Sequence, residues 1–319
     1  MTSRAPTSDQ PLAAILAGTG GMGEAWLSAL SGPEAAAMGV RLVGVCELDR
    51  LRAVEALGRR NLSLPVFERI PDALAAEPDL VVDCTTPNAR LAVAREALLS
   101  GVHVLCEKPL ATDEETTAQL IGAQARSRAV LAVNQNRRFR PGVRQLRDLV
   151  RSRALGTAQT LFADLHMAPR FGGCREAMRH VMLRDMAIHA FDAARCILGT
   201  DALSVTCLER TPEGQPFAHG PEVHATFQMT DGSLFVFHGN WAEPGPPSSW
   251  NGAWRLTLSR GAARWDGDSE ARAWAPAPTG APGLLPDALP HPLPPAPRSP
   301  ADCEIGPIEP QHPLPARRG

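Results

Sequence analysis

Residues 12–27 read LAAILAGTGGMGEAWL: an apolar run, then Gly18-Thr19-Gly20-Gly21-Met22-Gly23, then residues with helical spacing. A strand that ends on G-x-G-x-x-G and opens a helix is the start of a dinucleotide-binding unit. The glycines permit a tight turn and close backbone approach, and the helix N-terminus offers N–H groups and a positive dipole end to a pyrophosphate. The spacing alone is weak, and the segments downstream of it add the weight. The next apolar run, 40–46 (VRLVGVC), is followed by Glu47, where a carboxylate accepts hydrogen bonds from both ribose hydroxyls of an adenosine half. Further apolar runs at 79–84, 102–106 and 129–133 suit strands of a parallel sheet covered on both faces. Helical spacing fills 22–30, 49–60, 71–76, 88–100 and 113–127, the last with Asp113 or Thr112 as its cap.

This alternation predicts an α/β fold whose N-terminal part is a Rossmann doubly wound parallel sheet over residues 11–135, after a short tail at 1–10. A helix is expected from Pro141 to Arg153, and then the pattern changes. Residues 157–165, 203–209, 222–229, 233–239 and 254–259 have strand character, Asp231-Gly232 marks a hairpin turn, and one helix spans about 183–198. Residues 136–275 are therefore expected to form an α+β domain with a mostly antiparallel sheet. Nearly half of the 30 prolines lie from Pro276 onward, where apolar periodicity disappears, so 276–319 is expected to be a disordered tail. No internal repeat is found.

A formal charge of −2 provides no broad cationic field for nucleic acid or an acidic membrane, which leaves a small molecule as the expected partner. The seven cysteines (Cys46, Cys84, Cys106, Cys174, Cys196, Cys207, Cys303) contain no C-x-x-C pair and no clustered metal-ligand spacing. They are expected to be reduced thiols, with no metal site among them. No run has the length of a signal-peptide core or a membrane span, and a cytoplasmic location is expected.

A second constellation carries the chemistry. GVHVLCEKPL at 101–110 places Glu107-Lys108-Pro109 directly after a buried strand, at the carboxyl edge where such sheets bind ligands. Asp185, His189 and Asp192 have spacings of four and three on the helix of the second domain, which sets them on one face. With these residues the chain resembles the Gfo/Idh/MocA oxidoreductases, the family of glucose–fructose oxidoreductase and inositol dehydrogenase. The resemblance rests on the glycine motif, TTPN at 85–88, HVLCEKPLA at 103–111, Asn136-Arg137-Arg138-Phe139 with Pro141, and DMAIHAFD at 185–192. It covers about residues 18–267.

The resemblance implies NAD(P)-dependent oxidation of a secondary alcohol in a sugar, cyclitol or related polyol, or the reverse reduction. It implies that Lys108 touches the substrate hydroxyl and helps place the nicotinamide, that His189 takes the hydroxyl proton and that Asp185 supports it. Thr86, Pro87, Asn88 and Glu107 join Gly18–Gly23, Glu47 and Lys108 on the cofactor side. A cis Lys108-Pro109 peptide and homo-oligomerisation through the second domain's sheet are further implications. The chemistry is consistent: an imidazole's ordinary pKa of about 6.5 suits proton exchange at neutral pH, and an ammonium group stabilises charge on an alcohol oxygen. Glu47 favours NAD, since a carboxylate repels a 2′-phosphate, while nearby Arg50 and Arg52 keep NADP in play.

Competing readings stand beside these: Lys108 as a surface lysine, His189 as a hydrogen-bonded core histidine and Asp192 as structural rather than catalytic. Weaker substrate candidates are Arg138, His166 and Arg175, the last in a basic loop with Arg170, Arg179 and His180 around Phe171-Gly172-Gly173. Trp241, Trp250 and Trp254 could stack on a sugar face, although packing on the sheet is the commoner fate. Leu91 stands where the family often has histidine, and Ala187 where it usually has glycine. The resemblance implies further sheet and a closing helix after Gly267, and the proline-rich stretch is expected to be a replacement for them from a shifted reading frame. Two other functions compete: a non-catalytic dinucleotide-binding sensor of the same fold, and an NAD-assisted glycoside hydrolase.

Overall fold

In the first unit, β1 (Leu12–Ala17), β2 (Val40–Cys46), β3 (Val66–Phe67), β4 (Leu80–Asp83), β5 (His103–Cys106) and β6 (Leu131–Val133) form one sheet in the order β3-β2-β1-β4-β5-β6. Every pairing is parallel. The computed structural model describes residues 10–276, 288–291 and 293, and the chain divides into two units, Met1–Gln135 and Asn136–Gly319.

The uninterrupted apolar runs have a simple cause. Ile15 belongs to a core with Val81, Ala97, Leu98 and Val104, whereas its neighbour Leu16 belongs to another with Leu27, Val45, Ala53 and Val82. Successive side chains enter opposite faces, and helices cover both. β3, two residues long, is too short to announce itself by periodicity. Asp113, not Thr112, caps helix Glu114–Ala125, its side chain accepting the Thr116 N–H at 2.7 Å. The strand order reverses at β1 and β4, and the register sets Ala17 beside both Cys46 and Asp83. Gly18, Glu47 and Cys84 therefore leave the sheet at one level, on the edge where doubly wound sheets bind their ligands.

The second unit contains β7 (Ala158–His166), β8 (Ala202–Arg210), β9 (Glu222–Met229), β10 (Leu234–Asn240), β11 (Ala253–Leu258), β12 (Gly261–Trp265), β13 (Arg272–Pro276) and β14 (Ala288–His291). They form one sheet ordered β14-β13-β12-β11-β7-β10-β9-β8. Only the β7–β10 pairing is parallel. Helix Pro141–Ser152 and the helical segment Met182–Leu198 pack on one face, where Val143, Leu146, Ala193 and Ile197 meet Leu161, Ala163, Val223, Phe235, Phe237 and Leu256. Phe191 pins the segment down, edge-on to Phe227 and Phe237 at 4.8 and 5.4 Å.

Besides β3, β12 and β13, which the sequence reading did not expect, two features differ from it. The helix expected over 183–198 begins as a π-helical stretch, Met182–Ala187, and becomes α-helical only from Ile188. A five-residue hydrogen-bond step widens the turn and alters which side chains share a face. In addition, β14 falls inside the stretch expected to be disordered from Pro276. Its Pro290 is compatible with a strand because β14 is the sheet's edge, where a missing N–H breaks no inner ladder. The rest of that tail, apart from Leu293, and residues 1–9 lie outside the described residues.

Candidate active site

In the first unit the glycine turn is held by close backbone contacts. Gly18 has φ +87°, and a Cβ there would lie 3.0 Å from the Cys84 carbonyl; a Cβ on Gly23 would lie 2.1 Å from the Gly18 oxygen. These two positions require glycine for the turn itself. Gly20 and Gly21 differ: a Cβ on either meets nothing within 4 Å. The turn therefore leaves open space beside the start of helix Gly21–Leu30, whose Gly20 cap makes no side-chain hydrogen bond. Free first-turn N–H groups beside an open cradle fit a dinucleotide's diphosphate.

Glu47 closes one side of this turn. Its Oε2 accepts the Thr19 N–H at 2.8 Å and the Thr19 hydroxyl at 3.0 Å, and its Oε1 accepts the Asp49 N–H at 3.1 Å. Burial opposes its charge, but the hydrogen bonds from Thr19 and Asp49, with Arg52 nearby, hold its carboxyl below the usual range. The carboxylate is ionised and tied to the second residue of the glycine motif. Arg50 bonds the Val66 carbonyl at 3.2 Å, and Arg52 lies 3.8 Å from Asp49, both contacts at the solvent-exposed surface.

Thr86 caps helix Pro87–Leu99 without a side-chain hydrogen bond, and Asn88 lies in its first turn. Glu107 is 7% exposed, and its Oε1 accepts from Trp26 Nε1 at 2.7 Å and Asn134 Nδ2 at 2.8 Å. Its carboxylate thus anchors the loop after β5, which bears on its assignment as a cofactor contact. The Lys108-Pro109 peptide is cis.

The sequence reading missed Arg90 and Asp83, which are 1% and 0% exposed. Arg90 bonds the Pro109 carbonyl and, at 2.7 Å, the Thr85 carbonyl; its Nε lies 3.7 Å from Asp83 Oδ2. Asp83 Oδ1 accepts the Thr85 N–H at 2.8 Å and hydroxyl at 2.5 Å. Burial pushes the Asp83 carboxyl up, against the pull of Thr85 and Arg90. One buried ion pair therefore ties the TTPN turn to the loop carrying Lys108. An arginine in a helix looks like a surface residue, and no local spacing in this stretch signals its burial. Burial pushes the Cys46 and Cys106 thiols up to about 11, and Cys84 up as well, so these thiols behave as apolar packing rather than nucleophiles.

In the second unit the Asp185, His189 and Asp192 trio takes three separate engagements. Asp192 holds Arg138 in a two-pronged pair, through Nε at 2.9 Å and through Nη2. Arg138, a substrate candidate from sequence, is thus paired with Asp192. Asp185 lies 2.8 Å from Arg175 Nε, and that guanidinium stacks over Phe171 at 4.9 Å. Arg175 is accordingly a partner of the catalytic candidate. His189 lines a pocket with Arg137, Met186, Asn251 and Trp254. Arg137 bonds the Trp250 carbonyl; burial, with help from Arg140, pushes its pKa down to about 10, which leaves it cationic at neutral pH.

His166 is not among the residues that line this pocket, although its neighbour Asp164 is; His166 Nδ1 lies 3.4 Å from Asp164 Oδ2. Trp241 packs among Phe171, Phe217 and Trp250, and Trp254 donates to the Asn251 carbonyl at 2.8 Å; only Trp250 of these three tryptophans is exposed.

Residues 12–135 match the model of an oxidoreductase family with an NAD-binding Rossmann fold, and residues 143–264 match the GFO/IDH/MocA C-terminal domain. The chain belongs to the Gfo/Idh/MocA oxidoreductase family. Among relatives, it is 30% identical over 199 residues to an inositol 2-dehydrogenase of Rhizobium meliloti, covering 60% of this chain and 56% of the relative. It is 31% identical over 171 residues to a D-glucoside 3-dehydrogenase of Escherichia coli, covering 51% and 48%. The chain spans between 48% and 66% of the length of such curated relatives. In fold it is similar to an Agrobacterium radiobacter oxidoreductase solved with NAD+, L-tartaric acid and magnesium (TM-score 0.74, 18% identity, 88% of this chain and 81% of that one). It is also similar to the WlbA dehydrogenase of Bordetella pertussis solved with NADH and UDP-GlcNAcA (TM-score 0.70, 18% identity, 81% and 75%). Among the described residues no helix is long and apolar enough to cross a membrane.

Proposed function

We propose that this family member is an NAD-dependent dehydrogenase of the cytoplasm acting on a secondary hydroxyl of a sugar, cyclitol or related polyol. The observation that carries the reading is the open cradle at Gly20 and Gly21 beside an ionised Glu47, in a chain of this family. Gly18–Gly23 would hold the diphosphate, Glu47 the adenosine ribose, and Thr86, Pro87 and Asn88 the next stretch of the dinucleotide. A bound nicotinamide would supply the hydride acceptor for alcohol oxidation, or the donor for reduction.

The chain's own groups handle charge and protons. Lys108 donates to the reacting oxygen and stabilises its negative charge, His189 accepts the hydroxyl proton, and Asp185 positions the imidazole segment through its bond to Arg175. NAD is preferred to NADP because the ionised Glu47 carboxylate repels a 2′-phosphate. The relatives' inositol, glucoside and nucleotide-sugar names support a polyhydroxy substrate.

The test is a panel of inositols, sugars and nucleotide sugars assayed for reduction of NAD+ and NADP+ by the full chain. At least one substrate should reduce NAD+ faster than NADP+. Lys108→Ala and His189→Ala should each lower kcat by about 10²- to 10⁴-fold with NAD+ affinity retained. Cofactor binding without turnover on the whole panel would favour a sensor, and sugar release with cofactor unconsumed would favour glycoside cleavage.

A further inference from the structure

The face of the second unit's sheet turned away from its helices carries a polar cluster outside the dehydrogenase machinery. Strand alternation sends Val223, Ala225, Phe235 and Phe237 into the core, and Glu222, His224 and His238 to the other side. His224 and His238 are 14 positions apart in sequence but directly opposite in the β9–β10 register. The Met229 N–H bonds the Ser233 carbonyl at 2.9 Å. Alternate pairs along the ladder are hydrogen-bonded, so counting from that bond makes His224/His238 a non-bonded pair, the position where opposing side chains lie closest. Their rings stack at 4.5 Å.

Glu222 lies two residues before His224 on the same face. It is only 6% exposed, and its Oε1 is 2.8 Å from His224 Nε2. One ligand atom from each of Glu222, His224 and His238 falls within 4.8 Å of the others. On β7, Asp164 pairs in register with His238, and its Oδ1 lies 2.8 Å from His238 Nδ1. A carboxylate that holds one nitrogen of a histidine orients the other toward a metal, an arrangement that recurs around protein metal centres.

We propose that Glu222, His224 and His238 form a site for a divalent transition-metal ion of the zinc class, with Asp164 as the carboxylate that orients His238. Two imidazoles and one carboxylate suit zinc, nickel or copper better than magnesium or calcium, and three protein ligands leave a position for water. Binding replaces the His224–Glu222 contact with a bond from each side chain to the metal. It also moves the Arg210 guanidinium, 3.1 Å from Glu222 Oε1, off the carboxylate; Arg210 is 61% exposed and has room to swing away. A second cluster, His180, Glu209 and His219, also has its ligand atoms close together. There His219 Nδ1 accepts the His180 N–H at 3.2 Å, so the ring proton sits on Nε2 and neither nitrogen of His219 has a free lone pair, while His180 Nδ1 lies 2.5 Å from Glu209. It serves as the internal control.

The experiment is calorimetric titration of the chelator-treated full chain with Zn²⁺, repeated with Co²⁺ while recording visible absorption. One equivalent should bind in the micromolar range or tighter, and Co²⁺ should give the intense bands of a tetrahedral site. His224→Ala and His238→Ala should each weaken binding by at least about tenfold, and Asp164→Asn by a similar factor through loss of the orienting bond. His219→Ala should leave it unchanged, and His224→Gln and His238→Gln replace either alanine variant that fails to fold. Absence of saturable binding overturns the proposal, as does binding that survives His224→Ala/His238→Ala or is lost on His219→Ala. None of these readouts depends on dehydrogenase activity, so failure here is separable from failure of the catalytic assignment.

Discussion

The carboxyl edge of the first unit's sheet and the Met182–Leu198 segment of the second solve different problems with different materials. At the sheet edge the backbone does most of the work: Gly18 and Gly23 are dictated by contacts of 3.0 and 2.1 Å to main-chain atoms, and the helix start supplies N–H groups. In the helical segment side chains decide. Asp185, His189 and Asp192 go to Arg175, a pocket wall and Arg138, respectively. Backbone-made sites are tied to local spacing and can be recognised from it, whereas side-chain-made sites depend on partners that arrive from distant strands and loops.

The contrast is open to attack, most severely where the first unit breaks its own pattern. Arg90 and Asp83 are a side-chain device inside the backbone-made edge. Arg90→Leu, which strands Asp83 in the interior, should destabilise the protein by about 3–5 kcal/mol in denaturant titration. Arg90→Leu/Asp83→Leu should recover much of that loss; equal losses in the single and double variants would show that the pair is not the source. A smaller effect tests the backbone claim directly. Gly23→Ala places a methyl group against the Gly18 oxygen and should cost about 1–3 kcal/mol and most NAD+ affinity, measured by thermal unfolding and fluorescence titration. Gly20→Ala, with open space around it, should leave the apoprotein's stability nearly unchanged, and equal destabilisation by both would remove the distinction.

Smaller still is the expected loss from Arg138→Ala. Arg138 is partly exposed and its pair with Asp192 is screened, so the change should cost about 1 kcal/mol or less, with turnover altered far less than by His189→Ala. The smallest effect is a pH dependence at Glu47. Its folded pKa lies below its unfolded value, so its stabilisation is fully present above the ordinary glutamate range and is lost as pH falls through the lowered value. Acid unfolding of the wild type should therefore include a contribution that Glu47→Gln lacks, visible as a flatter stability profile below about pH 4.5.

Much of the fold was legible because its signals are local. The strand runs of the Rossmann sheet appear within two residues of their expected limits, and the glycine turn, Glu47 and the Lys108 loop emerge at one level of that sheet. β3, β12 and β13 escaped notice because short strands carry too few alternations, and β14 because proline masks strand character at an edge. The place of His166 relative to the pocket could not be read from the sequence, because a strand residue's face depends on alternation and a shift of one residue reverses it.

By itself, then, the order of residues determined the alternation of strands and helices, the phosphate-binding turn and the acid after β2, since each depends on neighbours a few positions away along the chain. Only tertiary structure decided that Arg90 is a buried clamp, that Asp192 belongs to Arg138, and that His224 stands opposite His238. Those outcomes follow from which side chains meet after the sheets assemble, and desolvation then forces charged and polar groups to find partners that no local spacing specifies.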